Sequence, residues 1–353
     1  MNPVGGQKAA QAVNSGVGYF RQGVQQALYG VSYREFETGG TLEAPSPANA
    51  PSPDDVRVSR LALEAGAGAE QAALGKLAAA DRDRYGHVAA PLAGRPVARQ
   101  ALQGLLTEGT LTGSRDLAGG QSLLQHLDAL ATRPLARGID RQDLLAEVVA
   151  EIGNPTCIKQ GNRNSCVATT ASIALARHNP AEYARLVAGL AAPGGSVRMA
   201  GGNALTRPDG WDFADDGGRT TSARLLQSAL LAEGAKVGSY DPRTDTFSAG
   251  PVPLGAGLTG GGSARINSQL QGRPFETFTS KSFSRGWDRV TEALAAGKGP
   301  FPVGLQWGSG GAHEVLLEKI EGDWAIFVNP SGHRQRLGVA EFRSHLRNAE
   351  IPE

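Results

Sequence analysis

The chain has 353 residues, of which 40% are hydrophobic and 20% charged, so it is long enough for about two domains with ordinary cores. Its 35 basic and 34 acidic residues leave a net charge of +1, which gives no basic surface for nucleic acid or for an acidic membrane. No run approaches the ~18 apolar residues of a membrane span, and no secretory signal opens the chain, so we expect a soluble protein.

Only two cysteines occur, Cys157 and Cys166. A secreted disulfide scaffold normally carries more, so we expect a reducing compartment: the cytoplasm, or one reached by a non-classical secretion route. Two cysteines cannot hold zinc alone, and no histidine lies near them at ligand spacing, so neither a metal nor a cofactor is expected. A regulatory disulfide between Cys157 and Cys166 remains an alternative to a structural role for Cys157.

The N-terminal part divides into two predicted regions. Residues 1–55 are expected to be a flexible segment that ends in a linker, because four prolines fall between residues 44 and 55. Asp54 and Asp55 are candidate caps for the helix that follows. Residues 56–152 carry leucines at helical spacing and predict a bundle of about four helices, which would serve as a propeptide or docking domain.

From residue 153 onward the pattern predicts a domain over 153–353 with helices first and antiparallel strands last. This is an α+β arrangement, because strands and helices do not alternate. Gly250 to Gly262 is glycine-rich and is expected to be flexible. The predicted helices begin at Cys166 and Pro180 and cover 220–233 and 287–296. The predicted strands cover 301–307, 313–320 and 324–328, and Glu321-Gly322-Asp323 joins the last two as a hairpin.

Four polar residues provide the parts of a cysteine hydrolase in this domain: Gln160, Cys166, His313 and Asn329. The helix that Cys166 opens, with an imidazolium from His313, would lower the pKa of the thiol. Asn329 ends the strand that pairs with the strand of His313, so its amide would orient the ring. The Gln160 side chain and the Cys166 backbone N–H would hold an oxyanion.

Each of these residues also has an ordinary structural interpretation. A cysteine at a helix start is often a small buried side chain, a histidine on a strand is often structural, and an Asn-Pro pair is often a turn. Gln160 alone would be a surface loop residue. Their joint occurrence in one chain order, each in the required setting, favours catalysis.

At these residues the chain resembles the papain-like cysteine peptidase superfamily. Gln160 to Cys166 matches the family spacing, as does His313 to Asn329, and Asn329-Pro330 stands where the bacteriocin-processing branch has Asp-Pro. The resemblance implies a two-lobed catalytic domain in which Cys166 is the nucleophile and His313 the general base and acid. Asn329 would orient the ring, and Gln160 would donate to the oxyanion. Val167 replaces the tryptophan that papains place after the nucleophile, which favours a divergent bacterial, effector-type member.

We therefore expect a cysteine protease that hydrolyses peptide bonds of a protein or peptide substrate through a thioester, acting as a toxin or effector. Processing of its own N-terminal region within residues 44–55 is a further expectation. A deamidase, amidase or transglutaminase on the same fold would use identical catalytic parts. A binding module with an inactive site is the alternative from a different class.

Overall fold

The computed structural model describes residues 40–213, 217–235, 238–250, 252–255, 257–279, 283–307 and 311–353. Most of the segment predicted to be flexible, residues 1–39, lies outside this range. The described residues form twelve α-helices and three antiparallel sheets, which confirms the predicted α+β class. Among the described helices, none is both long and apolar enough to cross a bilayer.

Six α-helices occupy the region in which the sequence predicted about four. They are α1 (Pro53–Lys76), α2 (Ala79–Ala89), α3 (Pro96–Thr107), α4 (Thr110–Gly113), α5 (Leu123–Thr132) and α6 (Arg141–Gly153). The remaining helices are α7 (Cys166–His178), α8 (Pro180–Ala191), α9 (Thr221–Gly234), α10 (Gly260–Gln271), α11 (Phe283–Ala295) and α12 (Val339–His345).

Polar side chains cap the starts of these helices. The cap of α1 is Ser52, not Asp54 or Asp55 as predicted, and Asp55 completes a capping box by accepting the Ser52 backbone N–H at 3.0 Å. Serine takes the cap because its short hydroxyl reaches the Asp55 backbone N–H. Asp140 caps α6 by accepting the Asp143 backbone N–H at 2.8 Å.

The strands, in chain order, are β1 (Thr41–Glu43), β2 (Ser196–Arg198), β3 (Ala204–Thr206), β4 (Ser239–Asp241), β5 (Thr246–Ala249), β6 (Val252–Gly255), β7 (Phe275–Thr279), β8 (Phe301–Trp307), β9 (Gly311–Glu321), β10 (Trp324–Asn329), β11 (His333–Gly338) and β12 (Leu346–Pro352). The main sheet has seven strands in the order β1-β11-β10-β9-β8-β12-β7. Two small sheets contain β2-β3 and β4-β5-β6. The three predicted strands and their hairpin are thus the centre of the main sheet.

One face of the main sheet packs on α7 and belongs to a core that extends into the N-terminal helices. Leu316 and Val328 of the sheet share this core with Leu102 of α3 and Ile152 of α6. The predicted boundary between residues 152 and 153 therefore falls inside a continuous core. Separating the two regions would expose apolar surface that both of them bury.

The opposite face of the main sheet carries a second core. Val315 and Phe327 of the sheet pack there with Trp287 of α11 and Phe342 of α12. The Phe327 and Phe342 rings lie 5.6 Å apart in a tilted pair. The sheet is therefore covered on both faces, and α7 is held in a fixed position against its centre.

Two buried glutamates of α6, Glu147 and Glu151, connect that helix to α8 and α9 by hydrogen bonds. Glu151 accepts hydroxyl hydrogen bonds from Tyr183 at 2.7 Å and Ser222 at 2.6 Å. Glu147 accepts the Ser222 backbone N–H at 3.2 Å. Burial, together with the neighbouring Glu151, raises the pKa of Glu147 to about 8.

The raised pKa of Glu147 predicts a stability that depends on pH. The folded state binds the proton more tightly than the unfolded chain, so the stability falls as pH rises from about 4.5, the ordinary value, to about 8. Glu147→Gln keeps an acceptor for Ser222 but removes the titration. We expect it to raise the free energy of unfolding at pH 8 by about 1–3 kcal/mol and to change it little at pH 4.5. Urea unfolding at both pH values tests this, with exposed Glu64→Gln as the control; equal effects at both pH values would contradict it.

Candidate active site

The nucleophile candidate, Cys166, is the first residue of α7, as the sequence predicted. The residue before it, Ser165, is fully buried, and its hydroxyl donates to the Gln227 side chain at 3.1 Å. The Gln227 amide in turn donates to the Lys159 carbonyl at 3.0 Å. Gln227 therefore fixes the loop that precedes α7 from both of its ends.

The start of α7 lies against β9 at Glu314. The Glu314 carboxylate raises the pKa of the Cys166 thiol, so the two residues are near each other. One turn along α7, the Thr170 hydroxyl donates to the Glu314 carbonyl at 3.2 Å. The start of α7 therefore lies near the residue that follows His313, so two segments that are remote in sequence are neighbours here.

His313 and Asn329 form a hydrogen-bonded pair. His313 Nε2 lies 2.9 Å from Asn329 Oδ1, and the two residues are 8% and 3% exposed. The Asn329 amide nitrogen donates to Gln335 Oε1 at 3.0 Å, and the Ser331 backbone N–H donates to Asn329 Oδ1 at 3.1 Å. Because Nε2 is engaged with an acceptor, the ring places its N–H there, and Nδ1 is the nitrogen that would accept a proton.

The side chains along β9 alternate between the two faces of the sheet. Glu314 and Leu316 project on the side of α7, whereas His313 projects on the side of Val315 and the second core. His313 is the third residue of β9, so its ring lies near the end of the strand. The ring therefore projects from the face of the sheet opposite the one on which α7 and Cys166 pack.

Gln160 joins the same region through its backbone. Its N–H donates to the Pro330 carbonyl at 2.8 Å, which links the loop before Cys166 to the turn after Asn329. Its side-chain Nε2 donates to the Arg163 carbonyl at 3.1 Å. One hydrogen of that amide is therefore used within the loop.

The electrostatics of the site differ from the prediction. Cys166 keeps part of its surface exposed, yet burial raises the pKa of its thiol to about 11, and the Glu314 carboxylate adds to the rise. Burial also lowers the pKa of His313 to about 4 against the effect of Asn329. The expected lowering of the thiol pKa is wrong, because a helix terminus and an imidazole do not outweigh dense packing and a neighbouring carboxylate. At neutral pH the pair is a thiol and a neutral imidazole.

Cys157, the other cysteine, lies apart from this chemistry. It is 5% exposed and free, and burial raises the pKa of its thiol strongly. Cys166 is also free, so the structure contains no bridge between them. The described residues contain no cluster of three or more His, Cys, Asp or Glu side chains suited to a metal ion.

Three residues of the site were missed in the sequence: Gln227, Glu314 and Gln335. Gln335 follows Asn329 closely, but its strand β11 was not predicted. Glu314 was visible beside His313, but a glutamate on a strand is normally solvent-exposed, and nothing local indicates its burial to 4%. Gln227 lies inside a predicted helix, where a polar residue gives no indication of its partners.

The bond between His313 and Asn329 leads to a prediction. If the chain is the cysteine hydrolase that its sequence predicts, Asn329→Ala should lower kcat/KM about 10- to 100-fold, because losing one buried hydrogen bond costs about 1–3 kcal/mol and frees the ring to reorient. Asn329→Asp keeps the acceptor and should retain more activity than the alanine variant. Initial rates on a cleaved peptide measure both. Equal losses in the two variants would show that the acceptor at this position does not orient the ring.

Searches with protein-family models, among curated proteins and among solved structures find no match to this chain. The arrangement of Cys166, His313, Asn329 and Gln160 is therefore the basis on which a function is proposed.

Proposed function

We propose that this protein is a cysteine protease that hydrolyses peptide bonds with Cys166 as nucleophile, His313 as general base and acid, and Asn329 as the residue that orients the ring. The observation that supports it most is the hydrogen bond between His313 and Asn329, because Glu314, the residue after His313, bonds through its carbonyl to α7 one turn from Cys166. The resemblance to papain-like peptidases, including the two-lobed arrangement, belongs to this proposal.

The neutral resting pair determines how the reaction would begin. His313 Nδ1 takes the Cys166 proton as the sulfur attacks the carbonyl carbon, so charge develops only with substrate present. The carbonyl electron pair moves to oxygen, where the Cys166 backbone N–H and the Gln160 amide can donate. Collapse breaks the C–N bond, and the imidazolium protonates the leaving amine. Water then attacks the thioester, gives its proton to His313, and the sulfur leaves as the thiol once it is reprotonated.

The role of the N-terminal helices follows from the shared core. Since region 56–152 buries apolar surface together with the region that follows, a docking or scaffolding role suits it better than that of a removable propeptide. Self-processing, where it occurs, would fall in the proline-containing segment at 44–52. That segment is held by polar contacts such as Asn49 Nδ2 to the Arg219 carbonyl at 3.4 Å.

Product analysis tests the proposed reaction. Wild type and Cys166→Ala are incubated with a mixture of unfolded proteins, and new amino termini are labelled and mapped by mass spectrometry. A protease produces new termini with wild type alone. Glutamine-to-glutamate conversion or cross-links without new termini would replace the proposal by a deamidase or transglutaminase, which use the same thioester chemistry.

One observation favours a second candidate, a binding module without catalysis. The raised pKa of Cys166 leaves little thiolate at neutral pH, as in an inert buried cysteine. Slow alkylation of Cys166 is expected under both proposals, so alkylation alone does not separate them. Turnover separates the two proposals. A folded protein that neither cleaves peptides nor converts glutamine would favour the binding module.

A further inference from the structure

Two buried carboxylates lie beside the proposed nucleophile. Glu314 of β9 and Glu350 of β12 are 4% and 0% exposed. Neither forms an ion pair within the part of the chain that the structure describes. Burial raises the pKa of both groups, and the charge of Glu314 raises that of Glu350 further, so the two carboxylates are close.

A glycine on β8 lies between the polar side chains of β9 and those of β12. Gly304 of β8 pairs with Glu314 on one side and with Asn348 of β12 on the other. A Cβ at Gly304 would lie 2.2 Å from the Asn348 amide oxygen, so the missing side chain is what allows these polar groups to meet above β8. The Asn348 amide nitrogen donates to Glu350 Oε1 at 2.5 Å.

The groups around this pair provide acceptors in excess of donors. Ser263 lies beside Glu314, and the amide nitrogen of fully buried Asn267 donates to the Ser263 hydroxyl. Three buried oxygens then have no hydrogen-bond partner among the described residues: Glu314 Oε1, Glu350 Oε2 and Asn267 Oδ1. Buried acceptors are nearly always satisfied in folded proteins, so these oxygens suit a ligand rich in hydrogen-bond donors.

The carboxylate pair lies near the proposed nucleophile. Thr170, one turn along α7 from Cys166, donates to the Glu314 carbonyl at 3.2 Å, and the Glu314 carboxylate disfavours the Cys166 thiolate. Cys166 itself remains partly exposed, so a substrate that reaches the sulfur also comes close to the carboxylates. A group with several N–H donors and a positive charge would satisfy the oxygens and offset the negative field at once.

We propose that Glu314 and Glu350 form an anionic subsite beside Cys166 that takes the ammonium or guanidinium group of a substrate lysine or arginine side chain. As a specificity site, this rests on the proposed function. Binding of the cation also makes the thiolate easier to form, so that the correct substrate activates its own nucleophile. A substrate without the cation reacts more slowly, because the nearby carboxylates then oppose loss of the Cys166 proton.

Charged thiol reagents test the subsite without any knowledge of the substrate. At pH 8, Cys166 is treated with cationic 2-(trimethylammonium)ethyl methanethiosulfonate or with anionic 2-sulfonatoethyl methanethiosulfonate, and the Cys166 peptide is quantified by mass spectrometry. For each protein we take the ratio of the cationic to the anionic reaction rate and divide it by the same ratio for a free cysteine peptide. We expect about ten for wild type, the size that one nearby negative charge predicts. Glu314→Gln and Glu350→Gln should each reduce this ratio severalfold. Exposed Glu321→Gln, on the same strand as Glu314, should leave it unchanged.

The outcomes separate the two proposals. A wild-type ratio near that of the free peptide, or one unchanged in both folded glutamine variants, overturns the subsite and shows the two carboxylates to be a protonated structural pair. Melting curves establish which variants fold, and Glu350→Gln gives the result by itself where Glu314→Gln does not fold. In a protein that cleaves peptides, the mapped sites should carry lysine or arginine at a fixed position. A charge preference without any cleavage would support the subsite and remove the protease proposal.

Discussion

Replacing Cys166 by alanine is expected to abolish turnover and to leave the fold intact. In the proposed mechanism the sulfur is the one protein atom that forms a covalent bond with the substrate carbon, so kcat should fall about 10⁴-fold or more. Stability should change little, because Cys166 is partly exposed at the start of α7 and loses one polarisable atom. Peptide cleavage and thermal melting are measured on the same preparation.

Cys157→Ala is the matched control for this experiment. Cys157 is buried and has no base assigned to it, so the change should lower the melting temperature and leave kcat per folded molecule close to wild type. Turnover that survives in Cys166→Ala but is lost in folded Cys157→Ala would transfer the nucleophile to the other cysteine.

Replacing His313 by alanine is the second large effect. Without the ring, no base takes the thiol proton, and with a thiol pKa of about 11 little thiolate forms unaided. We expect kcat/KM to fall at least about a thousandfold at pH 7. The loss should diminish as pH rises, since hydroxide then ionises the sulfur directly.

His87→Ala provides the comparison for His313. His87 lies on α2, and its ring is exposed apart from a 2.8 Å contact with Asp128. Its replacement should leave kcat/KM unchanged at every pH. A His313→Ala enzyme that keeps its activity, with the same pH profile as wild type, would remove the histidine from the mechanism.

Much of the site could be predicted from the sequence, because short local residue patterns indicate the helix and the strands that carry it. A cysteine followed by alanines, threonines and Ile173 indicates a helix that begins at Cys166. Runs of β-branched and aromatic residues with a Glu321-Gly322-Asp323 turn between them indicate β9 and β10, and Gly322 adopts the φ of +57° that the turn requires. Once those strands pair, His313 and Asn329 become neighbours.

The parts that were missed depend on contacts between distant segments. Strand β1 forms because it pairs with the neighbouring strand β11. Strand β12 was not predicted, because charged residues such as Arg347 and Glu350 are typical of a surface segment. Helix α10 begins at Gly260 within a passage predicted as flexible, because Thr259 caps it and its other face packs on α7 and α9. The tertiary environment outweighs the low helix propensity of glycine there.

The pKa of the Cys166 thiol could not be predicted from the sequence for the same reason. A helix start and a histidine in the sequence favour a thiolate, and both are present. The opposing influences are burial and the Glu314 carboxylate, and neither can be read without knowing which residues surround the sulfur. The subsite proposed around Glu314 gives this unfavourable environment a use, because a cationic substrate would relieve it.

The measurement that tests the central claim most directly is the pH dependence of Cys166 acylation by p-nitrophenyl acetate in wild type and His313→Ala. If the ring activates the sulfur, the wild-type rate rises through a group of pKa about 4 and then stays level from pH 6 to pH 9. The variant should instead be slow at pH 6 and gain about tenfold per pH unit toward the thiol pKa near 11. Superimposable profiles in the two proteins would show that His313 does not act on Cys166.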